Sequence, residues 1–257
     1  MENSKLKVVM LCVNGQSSRI MYHGLAHHVV FERIILENKP SLMHMIGRRV
    51  RKLGILKVSG QLLFLVFNKI FYRISRVRID QLICDYKLND TSFPNDIVNK
   101  LDSINSKETI CLLKNLKPDA VVVNGTRILS KDVLLSIDAP FINTHMGITL
   151  RYRGVHGGYW ALVSGDSGNC GVTVHLVDHG IDTGGVLYQD TISVDCSDNF
   201  NTYPIHQIAK AIPLMKAALN DVRKKQLSIR QGALPSRLWY HPTLLEYLKH
   251  YMRNGVK

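Results

Sequence analysis

The sequence predicts an α/β protein built on a mostly parallel sheet, with a basic helical insert and a short C-terminal appendage. Three observations carry that expectation. Lys7 to Val13 is a continuous β-rich apolar run that passes through the polar loop Asn14 to Ser18 into a helix-forming stretch, as in the first strand, loop and helix of a parallel unit. The same rhythm returns after residue 104, where helix-like and strand-like segments alternate. The 257 residues leave room for a domain of about 200 residues plus an appendage, read here as 1–221 and 222–257.

In chain order, the first helix is expected from about Arg19 to Glu37. The stretch from about 40 to 100 breaks the rhythm. It holds the apolar run Leu62 to Phe67 and reads as an inserted helical pair packed on the domain. Ile104 to Leu116 is a helix candidate, and Pro118-Asp119 precedes the buried-strand run Ala120 to Val123. Ser130 caps a short helix through Ser136, and Ala139-Pro140 leads into the strand Phe141 to His145. Gly157 to Val163 suggests another helix, Gly171 to Val177 and Val186 to Gln189 further strands, and Asn201 to Leu219 a long helix. From about 222 the chain is basic again, with the aromatic cluster Trp239-Tyr240-His241-Pro242 expected to dock the appendage.

The formal charge of +13 suggests a nucleic-acid binder until it is located. Between Glu37 and Asp80 there is no acidic residue, while Lys39, Arg48, Arg49, Arg51, Lys52, Lys57, Lys69, Arg73, Arg76 and Arg78 supply ten positive charges. The rest of the chain is nearly balanced, so nucleic acid is not the expected partner. Only eleven residues separate Lys57 from Lys69, too few for a membrane-spanning helix of about 20 residues. Cations of the insert that are solvated or face an anionic substrate are the preferred reading; a helix lying on an anionic membrane surface across 39–78 is the alternative. Five widely spaced cysteines, with no C-x-x-C pair, point to a reducing cytoplasm and away from zinc or redox chemistry. The N-terminal residues lack the apolar core of a signal peptide.

The chemistry concentrates at the end of one expected strand. Residues i and i+2 share a face, so Asn143 and His145 would both point into the crevice at the strand's carboxyl end, where open α/β sheets bind ligands. Asp182 follows 39 residues after Asn143, in the glycine-bounded loop Gly180 to Gly185. Acyl transfer to an amine needs a donor for the developing oxyanion, a proton-transfer group and a group that holds its charge; Asn, His and Asp can fill these roles. A neighbouring carboxylate would favour the charged form of His145. The loop Arg151 to Gly158 adds glycines that let backbone approach a ligand. His175 alternates with valines and reads as a core or pocket-wall residue, while His156 suits a turn or a substrate contact equally. His23, His27 and His28 have no carboxylate or cysteine partner nearby in sequence, so no metal site is expected.

Asn143-x-His145, Tyr152-Arg153-Gly154, Gly171-Val172-Thr173-Val174-His175 and Asp182-Thr183-Gly184 resemble, in order and approximate spacing, the motifs of the folate-dependent formyltransferases. That family includes the glycinamide ribonucleotide, methionyl-tRNA and amino-sugar N-formyltransferases. Gly125 to Ser130 is similar to the family segment that lines the pterin pocket. The likeness is good from about 105 to 195, weak at 7–20, and absent at 40–100 and after 220. It implies a Rossmann-like formyltransferase catalytic domain over 1–221 that uses 10-formyltetrahydrofolate as co-substrate. By this resemblance Asn143 would hold the formyl oxygen, His145 would stabilise the tetrahedral intermediate, and Asp182 would support His145 or relay protons. The pterin would lie against Arg127, Ile128 and Leu129 on one side and Val177, Asp178, His179, Gly180 and Ile181 on the other. Gly15, Gln16, Ser17, Tyr152, Arg153 and Gly154 would face the acceptor. Many members place Pro-Ser after the histidine, where this chain has Met146-Gly147, and Asn14 to Ser18 only loosely echoes the phosphate loop of the ribonucleotide enzyme.

The resemblance implies transfer of a formyl group to a primary amine, with a nucleotide-linked amino sugar for a bacterial surface polysaccharide (O-antigen) as the expected acceptor. The ribonucleotide enzyme is usually more compact, and residues 222–257 are too few for the C-terminal domain of the tRNA enzyme. A basic insert would suit a diphosphate through charge-assisted hydrogen bonds. Other small amines are alternatives. Hydrolysis of 10-formyltetrahydrofolate is disfavoured, because that family usually carries a regulatory domain ahead of the catalytic one and here the first strand begins by residue 7. A non-enzymatic anionic-surface or nucleic-acid binding module would have no need of Asn143, His145 and Asp182 together. Cytoplasmic placement is expected, with peripheral contact at the inner face of the membrane and a homodimer as further expectations.

Overall fold

A computed structural model describes residues 5–38, 42–230 and 235–257. The first strand, β1 (Lys7–Cys12), leads through the N-cap Gly15 into α1 (Gln16–Leu25), followed by β2 (Val30–Glu37). The inserted pair α2 (Leu42–Leu53) and α3 (Ile55–Asp85) comes next. The chain then returns to the sheet with β3 (Val98–Leu101), α4 (Lys107–Leu116), β4 (Ala120–Asn124), α5 (Lys131–Leu134) and β5 (Phe141–His145). The two-residue β6 (Arg153–Gly154) and α6 (Gly157–Val163) precede β7 (Gly171–Leu176) and β8 (Val186–Thr191). Last come α7 (Tyr203–Lys224), β9 (Leu238–Trp239) and α8 (Leu244–Asn254).

The main sheet has the order β3-β2-β1-β4-β5-β7-β8. Its first five strands run parallel, β7 is antiparallel to β5, and β8 is antiparallel to β7. Period-two alternation divides the core. Val8, Met10 and Cys12 of β1 pack on the face covered by α1 and α7, while Val9 and Leu11 pack on the opposite face with Leu113 of α4 and Val133 of α5. Every residue of β1 after Lys7 is therefore buried, which is why this strand reads as an unbroken apolar run.

The expected helix over 19–37 is the main correction. Only Gln16–Leu25 is helical, and Val30–Glu37 pairs in parallel with β1 and β3. Ile34 and Ile35 are both fully buried, on opposite faces of the sheet, a demand that the strand period meets and a helix stripe does not. The insert is also shorter than 40–100, because its helices end at Asp85 and Val98–Leu101 is an edge strand of the sheet. Similarly, α7 runs to Lys224, past the expected boundary at 221.

The inward face of α3 is tightly tethered. Phe64 sets its ring 4.9 Å from Phe200 and 5.2 Å from Tyr247 of α8. Gln61 donates to the His241 carbonyl at 2.7 Å, and Arg78 reaches Asp195 and Asp198 at 2.8 and 3.1 Å. Charge-assisted bonds to the buried Asp198 are stronger than neutral ones, so they pin the helix at a defined height. Contrary to the short span expected between Lys57 and Lys69, α3 is long and apolar enough, by length and composition alone, to cross a membrane.

The appendage docks through its aromatic cluster. Trp239 stacks on Trp160 at 4.7 Å and lies over Tyr152 at 5.9 Å, while β9 pairs with β6. The capping box of Thr243 and Glu246 starts α8.

Candidate functional site

The carboxyl ends of β1, β4 and β5 open onto a crevice of about 560 Å³. It lies where the chain order reverses: from β1 the sheet grows one way to β2 and β3, then the other way to β4 and β5. The loops after β1 and β4 diverge there, leaving the gap in which such sheets bind ligands.

Asn143 and His145 project from the end of β5 into this crevice, as the i, i+2 spacing predicts. Antiparallel register places His175 of β7 directly opposite Asn143. His175 Nδ1 faces the Leu176 carbonyl at 2.7 Å and must carry its proton there, so Nε2 accepts from the Asn143 amide at 3.1 Å. The second amide hydrogen of Asn143 remains for a ligand. His175 is thus a pocket-wall residue, as expected, and in addition it orients Asn143.

Asp182 reaches the crevice from the loop between β7 and β8. Its Oδ2 lies 3.2 Å from His145 Nδ1 and accepts the Gly154 amide at 2.9 Å; Oδ1 is 3.7 Å from His175 Nε2, beyond a hydrogen bond. Asp182 has φ 52°, and a Cβ on the neighbouring Gly184 would sit 1.8 Å from the Leu176 carbonyl oxygen, so only glycine permits this fold of the loop. Burial would push the Asp182 carboxyl up, but His145, followed by the Gly154 amide, outweighs it and holds the group at about 2.

His145 is caught between two acceptors, Asp182 at Nδ1 and the Tyr152 carbonyl at Nε2, 2.6 Å away. Only the imidazolium satisfies both. Burial acts the other way and is the larger effect: with the side chain 6% exposed, desolvation lowers the pKa below 6.5, and Asp182 and Tyr152 only partly restore it. The charged form expected from the neighbouring carboxylate is therefore not the favoured resting state at neutral pH. A ring with two waiting acceptors takes up a proton readily once negative charge develops beside it.

Gly147 explains one departure from the family pattern. A Cβ there would lie 2.6 Å from the Tyr152 carbonyl oxygen and 2.8 Å from His145 Nε2, so Met146-Gly147 lets the following loop close on the histidine.

The other expected site residues divide. Gly15, Gln16, Ser17, Arg127, Ile128, Leu129, Gly154, Val177, Asp178, Gly180 and Ile181 line the crevice. His179 is exposed outside it. Tyr152 is fully buried, with its hydroxyl on Asp166 at 2.7 Å, and serves the site through its carbonyl. Arg153 donates to the Ile181 carbonyl at 3.0 Å, bracing the Asp182 loop rather than facing the crevice. Side chains of alternating direction cannot all reach one pocket, so a run of neighbours overstates the set.

Asn124, His156 and Gln207 also line the crevice, and sequence reasoning did not select Asn124 or Gln207. Glu37 was missed as well. Its buried carboxylate accepts the amides of Ile104 and Arg127 at 3.1 and 3.2 Å and pairs with the Arg127 guanidinium, so it fixes the crevice wall at 127–129. A lone acid at the end of an apolar strand could have signalled this, had Val30–Glu37 been read as a strand. Among the described residues, no group of three or more His, Cys, Asp or Glu side chains could hold a metal ion.

The family model described as formyl transferase matches residues 91–210. A methionyl-tRNA formyltransferase of Thermodesulfovibrio yellowstonii is 40% identical over 113 residues, which cover 44% of this chain and 36% of that protein. The chain thus spans well under half the length of the relatives it matches. Among solved structures, glycinamide ribonucleotide transformylase 1 of Symbiobacterium toebii superposes with a TM-score of 0.59 at 15% identity, covering 90% of this chain and 93% of that one. A sugar N-formyltransferase of a Shewanella species gives 0.55 at 15% identity, covering 91% and 76%. These likenesses share the sheet and its flanking helices. With a seven-stranded, mostly parallel sheet and a crevice at its carboxyl edge, the chain has the architecture of these enzymes, and its residues 91–210, which supply most of the crevice lining, match the formyl transferase family.

Proposed function

We propose that this protein transfers a formyl group from 10-formyltetrahydrofolate to a primary amine, that of a nucleotide-linked amino sugar. The observation that carries the reading is the convergence of Asn143, His145 and Asp182, with His175 behind them, on one crevice. 10-Formyltetrahydrofolate would supply the activated formyl carbonyl. The crevice suits a flat, polar-edged ring: its volume falls in the range of small-ligand pockets, and two loops, 125–129 and 177–181, form walls that can offer main-chain groups. The buried Asn124 amide, on the same lining, has a donor without a protein partner.

Each residue then has a separable task. The free amide hydrogen of Asn143 donates to the formyl oxygen as it gains negative charge. His145 takes a proton as that charge appears, stabilised by Asp182, whose carboxylate stays ionised throughout. A water held by the Asp182 carboxylate would pass the amine's proton to the folate nitrogen as the bond from that nitrogen to the formyl carbon breaks, so the carboxylate keeps no proton.

At Gly154 and Val155, beside the residues expected to face the acceptor, the crevice opens into a groove of about 210 Å³ that also touches Ile128 and Ile181 and continues to Arg49, Leu53 and Tyr240. One guanidinium among aromatic and apolar walls suits an acceptor that carries both an anionic group and a flat ring, as a nucleotide does. The solved sugar N-formyltransferase structure supports the same class by its fold. A second reading, transfer to the amine of an aminoacylated tRNA, is favoured by the name of the 40% identical relative.

The test is an acceptor panel with 10-formyltetrahydrofolate, read by mass spectrometry. A nucleotide-linked amino sugar should gain one formyl mass, His145→Ala should abolish the gain, and Asn143→Ala should slow it about 10²–10³-fold. Formylation of aminoacylated tRNA alone would select the second reading. No transfer to any amine, or full turnover by His145→Ala, would overturn the proposal.

A further inference from the structure

We propose that the outward face of α3 is a docking surface for a bilayer bearing anionic lipids, on which the helix lies flat. At 100° per residue, Leu56, Leu63, Val66, Ile70, Ile74 and Val77 fall within an arc of about 80° on the side opposite Phe64 and Ser75. All six are exposed, Leu56 by 86% and Val77 by 80%. Ser59 is the one polar residue within this arc between Leu56 and Val77, and an apolar stripe of this length is unusual on a free surface and marks an interaction site.

Charge identifies the occupant. Lys69 and Arg73 flank the stripe along one side, and α2 adds the exposed Arg48 and Arg51. No acid lies between Glu37 and Asp80 to neutralise them. A second copy of this chain seated antiparallel on the stripe would bring the two basic flanks together, and like charges at such a seam repel. Anionic headgroups supply the complementary sign, while acyl chains take the apolar stripe, the combination that holds amphipathic helices at membrane interfaces.

The tethers decide the depth. Gln61, Ser75 and Arg78 on the inward face bond to His241, Asn199, Asp195 and Asp198 of the domain, so α3 cannot leave its seat to cross the bilayer without breaking them. Arg49 and Leu53 of α2 line the groove that leads to the catalytic crevice, so the docking element and the proposed acceptor groove share one helical pair.

The experiment is cosedimentation of the full chain with vesicles of phosphatidylethanolamine and phosphatidylglycerol, against phosphatidylcholine alone, at physiological ionic strength. Binding should require the anionic lipid and weaken with salt. Leu63→Glu/Ile70→Glu and, separately, Lys69→Glu/Arg73→Glu should each weaken it at least tenfold, by the roughly tenfold cost of about 1.4 kcal/mol. Far-UV circular dichroism and the thermal midpoint of both variants should match the native protein, since all four positions are exposed. Absence of binding, equal binding to phosphatidylcholine, or undiminished binding by either variant would overturn the proposal. So would a dimer in sedimentation velocity that Leu63→Glu/Ile70→Glu disperses, because a second copy would then cover the stripe.

Discussion

Asp182→Asn asks whether charge, rather than side-chain shape, organises the crevice. The two side chains are nearly the same size, and an Asn oxygen can still accept the Gly154 amide. In the folded protein the Asp182 carboxyl is held at about 2, against an ordinary 3.8. At about 1.4 kcal/mol per pKa unit, the ionised form contributes about 2 kcal/mol of folding stability. The sign follows from the lowered folded-state value: the contribution is complete above the unfolded value and is lost as pH falls through about 2. The Asn variant should therefore be less stable at neutral pH by up to about 2 kcal/mol, reduced by the part of the lowering that needs a charged His145, with the gap closing below about pH 4. Urea denaturation of both proteins across that range measures the gap. The variant should also slow formyl transfer about 10²-fold, since only the Tyr152 carbonyl then favours a proton on His145. A neutral-pH gap below about 0.5 kcal/mol, or one that persists undiminished to about pH 2, would refute the assignment.

Glu37→Ala should cost about 3 kcal/mol, because it leaves the Ile104 and Arg127 amides without their carboxylate, and it should weaken folate binding through the 127–129 wall. Equilibrium denaturation and folate titration check both effects; unchanged stability would show that the carboxylate does not hold this wall. Stability should also fall as pH drops below about 6.5, since burial lowers His145 and His156 and brings His241 to about 4, so the unfolded chain binds protons first. The share from His241 is at most about 3 kcal/mol and is fully lost only below about pH 4. Replacing His241 by Phe should flatten this slope, and an identical slope in the variant would exclude a buried neutral His241.

Legibility from sequence followed the range of the interactions involved. The strands at 7–12, 120–124 and 141–145 were readable because central strands covered on both faces must be apolar throughout. Val30–Glu37 was not, since its mixed apolar pattern is compatible with helix and strand alike, and pairing with β1 and β3 decided between them. The pair Asn143 and His145 could be placed on one face from spacing alone. His175 could not be assigned to Asn143, 32 residues away, because their meeting depends on the register between two strands. Tyr152 and Arg153 looked like acceptor residues by position, but packing turned the first into the core and the second onto the Asp182 loop.

By itself the sequence determined the α/β class, the location of the basic insert, and the three polar residues that could perform acyl transfer. Local periodicity and residue chemistry are sufficient for those. Tertiary structure alone decided that His145 stands between two acceptors in a desolvated site, that Glu37 anchors the wall at 127–129, and that α3 turns one apolar face outward. Each of these depends on what distant segments bring into contact, and desolvation, ion pairing and exposure have no value until that contact is made.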